Sequence, residues 1–167
     1  MERRPPEIPT RPMDIRFLLV GDGPLRPQIE AEARSLGIAD KIAFAGLVQP
    51  SDVPRYLGIM NCVVHLSYRE AVSRALPQAL AAGKPVVSYD FDGADEVCQH
   101  GQSGFIVPTG DIESVTRFLE QLAADQALCD RFGRTGRDFV SKHFSVEKMI
   151  DEQYAWYRRV LETSPTT

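Results

Sequence analysis

Five short apolar runs alternate with longer amphipathic stretches along most of this chain, and no other feature constrains its fold as tightly. The runs are RFLLV (16–20), KIAFAG (41–46), CVVHL (62–66), PVVSY (85–89) and GFIVP (104–108). Each has the length and the aromatic or β-branched content of a buried strand. Between them the apolar residues recur at helical spacing, as Leu25, Ile29, Ala33 and Leu36 and then Val53, Leu57 and Met60. Strands separated by helices make βα units, and right-handed crossovers lay such strands into a parallel sheet covered on both faces. The expected fold class is therefore α/β, a Rossmann-like doubly wound parallel sheet with helices on both faces. Ligands in such folds bind beyond the carboxyl ends of the strands, here residues 21–24, 46–48, 66–74 and 90–95.

Local punctuation sharpens this picture. Pro24 suits a first helical turn, and Gly37 suits the residue after that helix. Ser51 is placed to cap the second helix, and the helix through Leu80 should end at Gly83. Asp111, Asp125 and Ser145 open three closing helices. The last, residues 145–161, carries Val146, Met149, Ile150, Tyr157, Val160 and Leu161 along one stripe. Pro5, Pro6, Pro9 and Pro12 bar regular structure from residues 1–13, which read as an arm or linker before a domain over 14–167.

Composition removes several function classes. A balance of 19 Lys plus Arg against 23 Asp plus Glu argues against a nucleic-acid partner. Cys62, Cys98 and Cys129 form no CxxC or Cys/His cluster, so reduced thiols are expected in place of a disulfide or zinc site. The apolar runs fall short of the roughly 18–20 residues of a membrane span, and the N-terminus lacks a signal-like apolar segment. A cytoplasmic location is the expectation.

The loops then carry the chemistry. Gly21-Asp22-Gly23-Pro24 follows a strand and precedes a helix, where backbone N–H groups favour anions. Arg26 stands where a dinucleotide fingerprint needs its third glycine, which disfavours a nicotinamide cofactor. Asp90-Phe91-Asp92 has the form of a metal-holding pair, but Asp92 reads more simply as a helix cap, with Asp95 and Glu96 on the helix dipole. His65, His100 and His143 are scattered, with His65 expected as a hydrogen-bonded core residue. No serine lies in a nucleophile elbow. Glu70 sits in a loop after a buried strand, and Gln78 follows eight positions later in the next helix. That helix begins between Ser73 and Leu76, with Ser73 as its natural cap. Glu70, the helix start and Gln78 are expected to converge on one pocket, suited to a hydroxyl-rich ligand attached to a phosphate.

The stretches FLLVGDGP, FAGLV, EAVSRALPQALAAGKPVVSYD, Gly93-Ala94-Asp95-Glu96 and GQSGFIVPTGD together resemble the C-terminal, donor-binding domain of retaining glycosyltransferases with the GT-B fold. The family is glycosyltransferase family 4, or glycosyl transferases group 1, and the resemblance runs over residues 15–161. It implies a nucleoside diphosphate sugar as substrate, no cofactor and no metal.

Carried over by motif, Glu70 corresponds to the acid that contacts the donor sugar, the position treated as catalytic. Gln78 corresponds to the acid that holds the ribose. Ala71, Val72 and Ser73 correspond to a loop whose backbone touches sugar and diphosphate. Gly46, Leu47 and Val48 lie near the nucleobase, beside the glycine turn of Gly21 and Gly23. Arg74 and Lys84 are candidates for the phosphate, each against the plainer reading of a solvated surface cation. Gln78 stands where the family has glutamate, and Ala71 where it has glycine. The resemblance also implies that a first strand and helix, with the Arg and Lys that hold the diphosphate, are missing. So is the N-terminal acceptor domain, through which alone membrane association would arise. The isolated chain is then expected to be inactive and to self-associate through its last helix. A stand-alone nucleotide-sugar binding module is the alternative.

Overall fold

The protein is described by a computed structural model covering residues 14–69, 73–91 and 93–163. Strands β1 (Phe17–Val20) and β2 (Ile42–Gly46) flank helix α1 (Arg26–Ser35). Helix α2 (Val53–Ile59), β3 (Val63–His65), α3 (Ala75–Ala81), β4 (Val86–Tyr89), α4 (Ala94–Val97) and β5 (Gly104–Val107) follow. Helices α5 (Ile112–Ala124), α6 (Gln126–His143) and α7 (Val146–Thr163) end the described chain. Every pairing between these strands is parallel, as the βα alternation requires. One doubly wound sheet was expected, whereas the hydrogen-bonded ladder is in two pieces, β1-β2 and β3-β4-β5. The three-residue β3 borders the larger piece and leaves Val64 exposed. So short an edge offers few ladder groups to a further strand.

Alternation along β4 shows that both faces are covered. Val86 packs with Leu57 of α2, Leu76, Ala79 and Leu80 of α3, and Ala94 and Val97 of α4. Val87 and Tyr89 face the other way, onto Val115 and Leu122 of α5 and Leu128 and Phe132 of α6. Full burial of each such aliphatic or aromatic side chain contributes about 1.5–3 kcal/mol. Helix α6 serves both layers, since its Val140 reaches the first cluster. It can do so because Gly133 and Gly136 bring its backbone close to α3: a Cβ on Gly133 would strike the carbonyl of Gly83.

Gly83 has φ +72°, a conformation that suits glycine as the residue after α3. Its N–H bonds the Leu80 carbonyl at 2.8 Å, and the Lys84 N–H bonds that of Ala79 at 2.9 Å. The expected ends at Gly37 and Gly83 are therefore observed. Asp111 caps α5 as expected, and at the expected starts of α6 and α7 Asp125 and Ser145 do the same: the three accept from the N–H groups of Ser114, Leu128 and Lys148 at 3.0, 2.9 and 3.1 Å.

Three starts differ from expectation. Pro24 lies in the turn before α1, and Pro27 occupies its first turn instead; Asp52, not Ser51, stands at the start of α2, followed by Pro54. In both helices the inner proline decides the boundary, because its missing N–H falls among donors that have no intrahelical partner. The residue capping α4 is Gly93, with φ +83°. Asp92 lies outside the described residues.

Candidate functional site

The carboxyl ends of β1 and β2 meet at two glycines. Gly21 donates its N–H to the Gly46 carbonyl at 2.9 Å, in an isolated bridge just past the β1 ladder. Gly46 has φ +70°, which turns the chain outward into Leu47, 84% exposed, and half-buried Val48. Space is open beside the α-carbons of Gly21 and Gly23. A planar ligand can therefore approach this backbone closely.

Beside the glycines stands a cluster that sequence reasoning missed. Arg26 donates from Nη1 to Asp22 Oδ2 at 2.9 Å and from Nε to Glu30 Oε1 at 2.8 Å. Its guanidinium also lies 5.2 Å from the ring centre of Phe44 on β2. Asp22 accepts the Gly23 N–H at 2.8 Å on its other oxygen. That amide, then Arg26, holds the Asp22 carboxyl below the usual carboxylate range, while Glu30 and Asp22 raise the Arg26 guanidinium. The i,i+4 spacing of Asp22, Arg26 and Glu30 was the available signal. Comparison with a glycine pattern treats Arg26 as a missing glycine and passes over that spacing.

The second group of expected residues stands at the start of α3. Glu70, Ala71 and Val72 lie outside the described residues, and so does their expected convergence with Gln78. Ser73 is buried, and its hydroxyl accepts from the Ala75 N–H at 3.3 Å, but the capping position of α3 falls on Arg74 and not on Ser73 as expected. Arg74, exposed, precedes the first residue of α3. Gln78 is exposed on α3, on the flank away from buried Leu76, Ala79 and Leu80. Lys84, the other phosphate candidate, donates from its ammonium to the Gly58 carbonyl at 3.0 Å, which ties the start of β4 to the end of α2.

Other candidates find structural uses. Asp90 is exposed, its carbonyl accepting the Thr109 hydroxyl at 3.0 Å. Among the described residues no group of three His, Cys, Asp or Glu is placed to hold a metal. His65 is half-buried and edge-on to Phe91, with 5.4 Å between ring centres. His100 Nδ1 accepts the Ile106 N–H at 3.1 Å, which fixes the turn into β5. A surface groove of about 300 Å³ along α2 is lined by Asp52, Arg55, Tyr56 and Ile59 and contains none of the expected site residues.

The sequence pattern described as glycosyl transferases group 1 matches residues 7–139. The chain belongs to this family. The group 1 domain is 32% identical over 149 residues to N-acetyl-alpha-D-glucosaminyl L-malate synthase of Bacillus anthracis, a match covering 89% of this chain and 39% of that protein. Sucrose-phosphate synthase from Thermosynechococcus elongatus superposes with a TM-score of 0.81 at 25% identity, over 88% of this chain and 39% of that one. Anabaena HepE, solved in complex with UDP, superposes with a TM-score of 0.79 at 24% identity, over 89% and 42% of the two chains. These superpositions give the domain the Rossmann-like fold of GT-B glycosyltransferases. The chain spans about two fifths of the length of the curated relatives it matches. No helix among the described residues is long and apolar enough to cross a membrane.

Proposed function

We propose that this group 1 domain binds the nucleoside diphosphate sugar of a retaining family 4 glycosyltransferase, as the C-terminal half of a GT-B enzyme. The observation that carries this reading is the open glycine surface where Gly21 bonds Gly46, on a chain whose family transfers sugars. In the whole enzyme, catalysis rests on positioning and on stabilising the leaving diphosphate. Glu70 orients the sugar and Gln78 the ribose. The loop of Ala71, Val72 and Ser73 supplies backbone contacts, with Arg74 at its end. The domain by itself transfers no sugar, because the acceptor half lies elsewhere.

Gln78 gives the test. A carboxylate accepts one hydrogen bond from each of two adjacent ribose hydroxyls, whereas a carboxamide bridges the pair without charge assistance. Hydrogen bonds to charged groups contribute about 1.5–3 kcal/mol against roughly 1 for neutral ones. Gln78→Glu is expected to tighten nucleoside diphosphate binding by about 0.5–1.5 kcal/mol, up to about tenfold. Gln78→Ala weakens it, and Glu70→Ala weakens sugar nucleotides more than the bare nucleotide. Calorimetry on the three variants reads these shifts. Unchanged nucleotide affinity in both position-78 variants would remove the residue from the ribose.

Helix α7 bears on partners. Val146, Met149, Ile150, Tyr154, Trp156, Tyr157, Val160 and Leu161 are all exposed on it. So large an apolar surface marks an interaction site. The isolated chain is expected to self-associate through residues 145–161 as its concentration rises. Sedimentation velocity and Trp156 emission report this together. A strictly monomeric species, with the emission of a wholly solvated indole at every concentration, would contradict it.

A further inference from the structure

The pair formed by Arg26 and Asp22 is given no role in the proposed donor site, yet it stands beside Gly46 in the glycine turn of that site. Nη1 of Arg26 and Oδ2 of Asp22 both come within 3.7 Å of the side-chain position of Gly46. About a third of each side chain is exposed, at 35% and 36%. Among the described residues the guanidinium spends Nε on Glu30 and Nη1 on Asp22, which leaves its Nη2 edge to donate. Asp22 accepts one bond on each oxygen, and a carboxylate oxygen has room for a second. The cluster thus offers a fixed donor next to a fixed acceptor. The two flanking carboxylates and the Phe44 ring hold the guanidinium in place, so little side-chain freedom is lost when a ligand binds. Leu47 supplies an exposed apolar rim, and the open glycines admit a flat ring.

We propose that Arg26 and Asp22 read the base of the donor nucleotide, Arg26 donating to a ring carbonyl and Asp22 accepting from the adjacent ring N–H. The favoured bases are those with a lactam edge, the uracil and guanine type. Adenine and cytosine present an amino group beside a bare ring nitrogen, which reverses donor and acceptor for a fixed glycosidic direction. The inference deepens the donor-binding reading and rests on it.

The test is calorimetry of the 167-residue chain with UDP, GDP, ADP and CDP. Wild type is expected to bind UDP or GDP at least about tenfold more tightly than ADP or CDP, the size of one charge-assisted hydrogen bond. Arg26→Met keeps an apolar stem over Phe44 and removes the fork, and should bring that ratio close to one. Asp22→Asn, which leaves the turn in place, should lower it as well, and it carries the test if circular dichroism shows Arg26→Met unfolded. A purely structural strut would change the melting temperature and leave the ratio intact. Binding without base preference, or a ratio unaltered in the folded variants, overturns the inference alone. Failure of wild type to bind any of the four overturns the donor reading and the inference with it.

Discussion

Gly133→Ala is expected to destabilise this domain strongly, although it adds a single methyl group. The new Cβ would meet the main-chain carbonyl of Gly83, which cannot swing aside as a side chain could. That carbonyl belongs to the residue that closes α3, whose N–H already bonds Leu80. Relief therefore requires α6 to move off α3, opening the layer that buries Leu76, Leu80 and Val140. Overpacking of this kind costs about 3 kcal/mol. In a domain of this size that lowers the melting temperature by about 6–12 °C. Thermal unfolding followed by circular dichroism measures the effect, and a shift under about 2 °C would show that the two helices are not held so close.

Alkaline pH should weaken the fold through its thiols. Burial pushes Cys98 from 9.0 up to about 11, and Cys62 likewise. The folded state thus holds these protons more tightly than the unfolded chain. The stabilisation is fully present below pH 9 and is lost as the pH rises through about 11. Each tenfold gain in proton affinity is equivalent to about 1.4 kcal/mol, so Cys98 alone accounts for a loss on the order of 3 kcal/mol. Urea unfolding in reductant at about pH 8 and about pH 11 should show a steeper decline for wild type than for Cys98→Ala. Parallel declines would mean that other groups govern the alkaline limit.

The first effect arises where α6 meets the end of α3, and it was half visible in the chain. The sequence marked Gly83 as a helix end, because a Cβ-free residue after Leu80 suits the left-handed turn found there. It contained no sign that Gly133, far along the chain, would rest on that carbonyl. Helix starts show the same boundary between local and remote causes. Asp111 caps as expected, and Asp125 and Ser145 open their helices as expected, since a cap needs only an N–H three residues on. Pro24 and Ser51 were displaced by the second prolines, Pro27 and Pro54.

The site divides in a similar way. Motifs picked out Gly21, Gly23, Leu47 and Gln78, all exposed, and Gly46, whose side-chain position is bordered by Arg26 and Asp22. Lys84 was a candidate for the phosphate against the plainer reading of a solvated cation, and the fold adds a bond from it to the Gly58 carbonyl at 3.0 Å. Arg26 looked like a defect in a glycine pattern until β2 brought Phe44 under it and Gly46 beside it. The strand and helix order and the parallel pairing could be read from the chain alone, because they follow from periodicity and short-range turn chemistry, while the family was legible in motifs such as FLLVGDGP and GQSGFIVPTGD. Which partners the charged groups find depended on long-range packing. Contacts such as Lys84 with Gly58, or Arg26 with Phe44, join residues that no local rule connects.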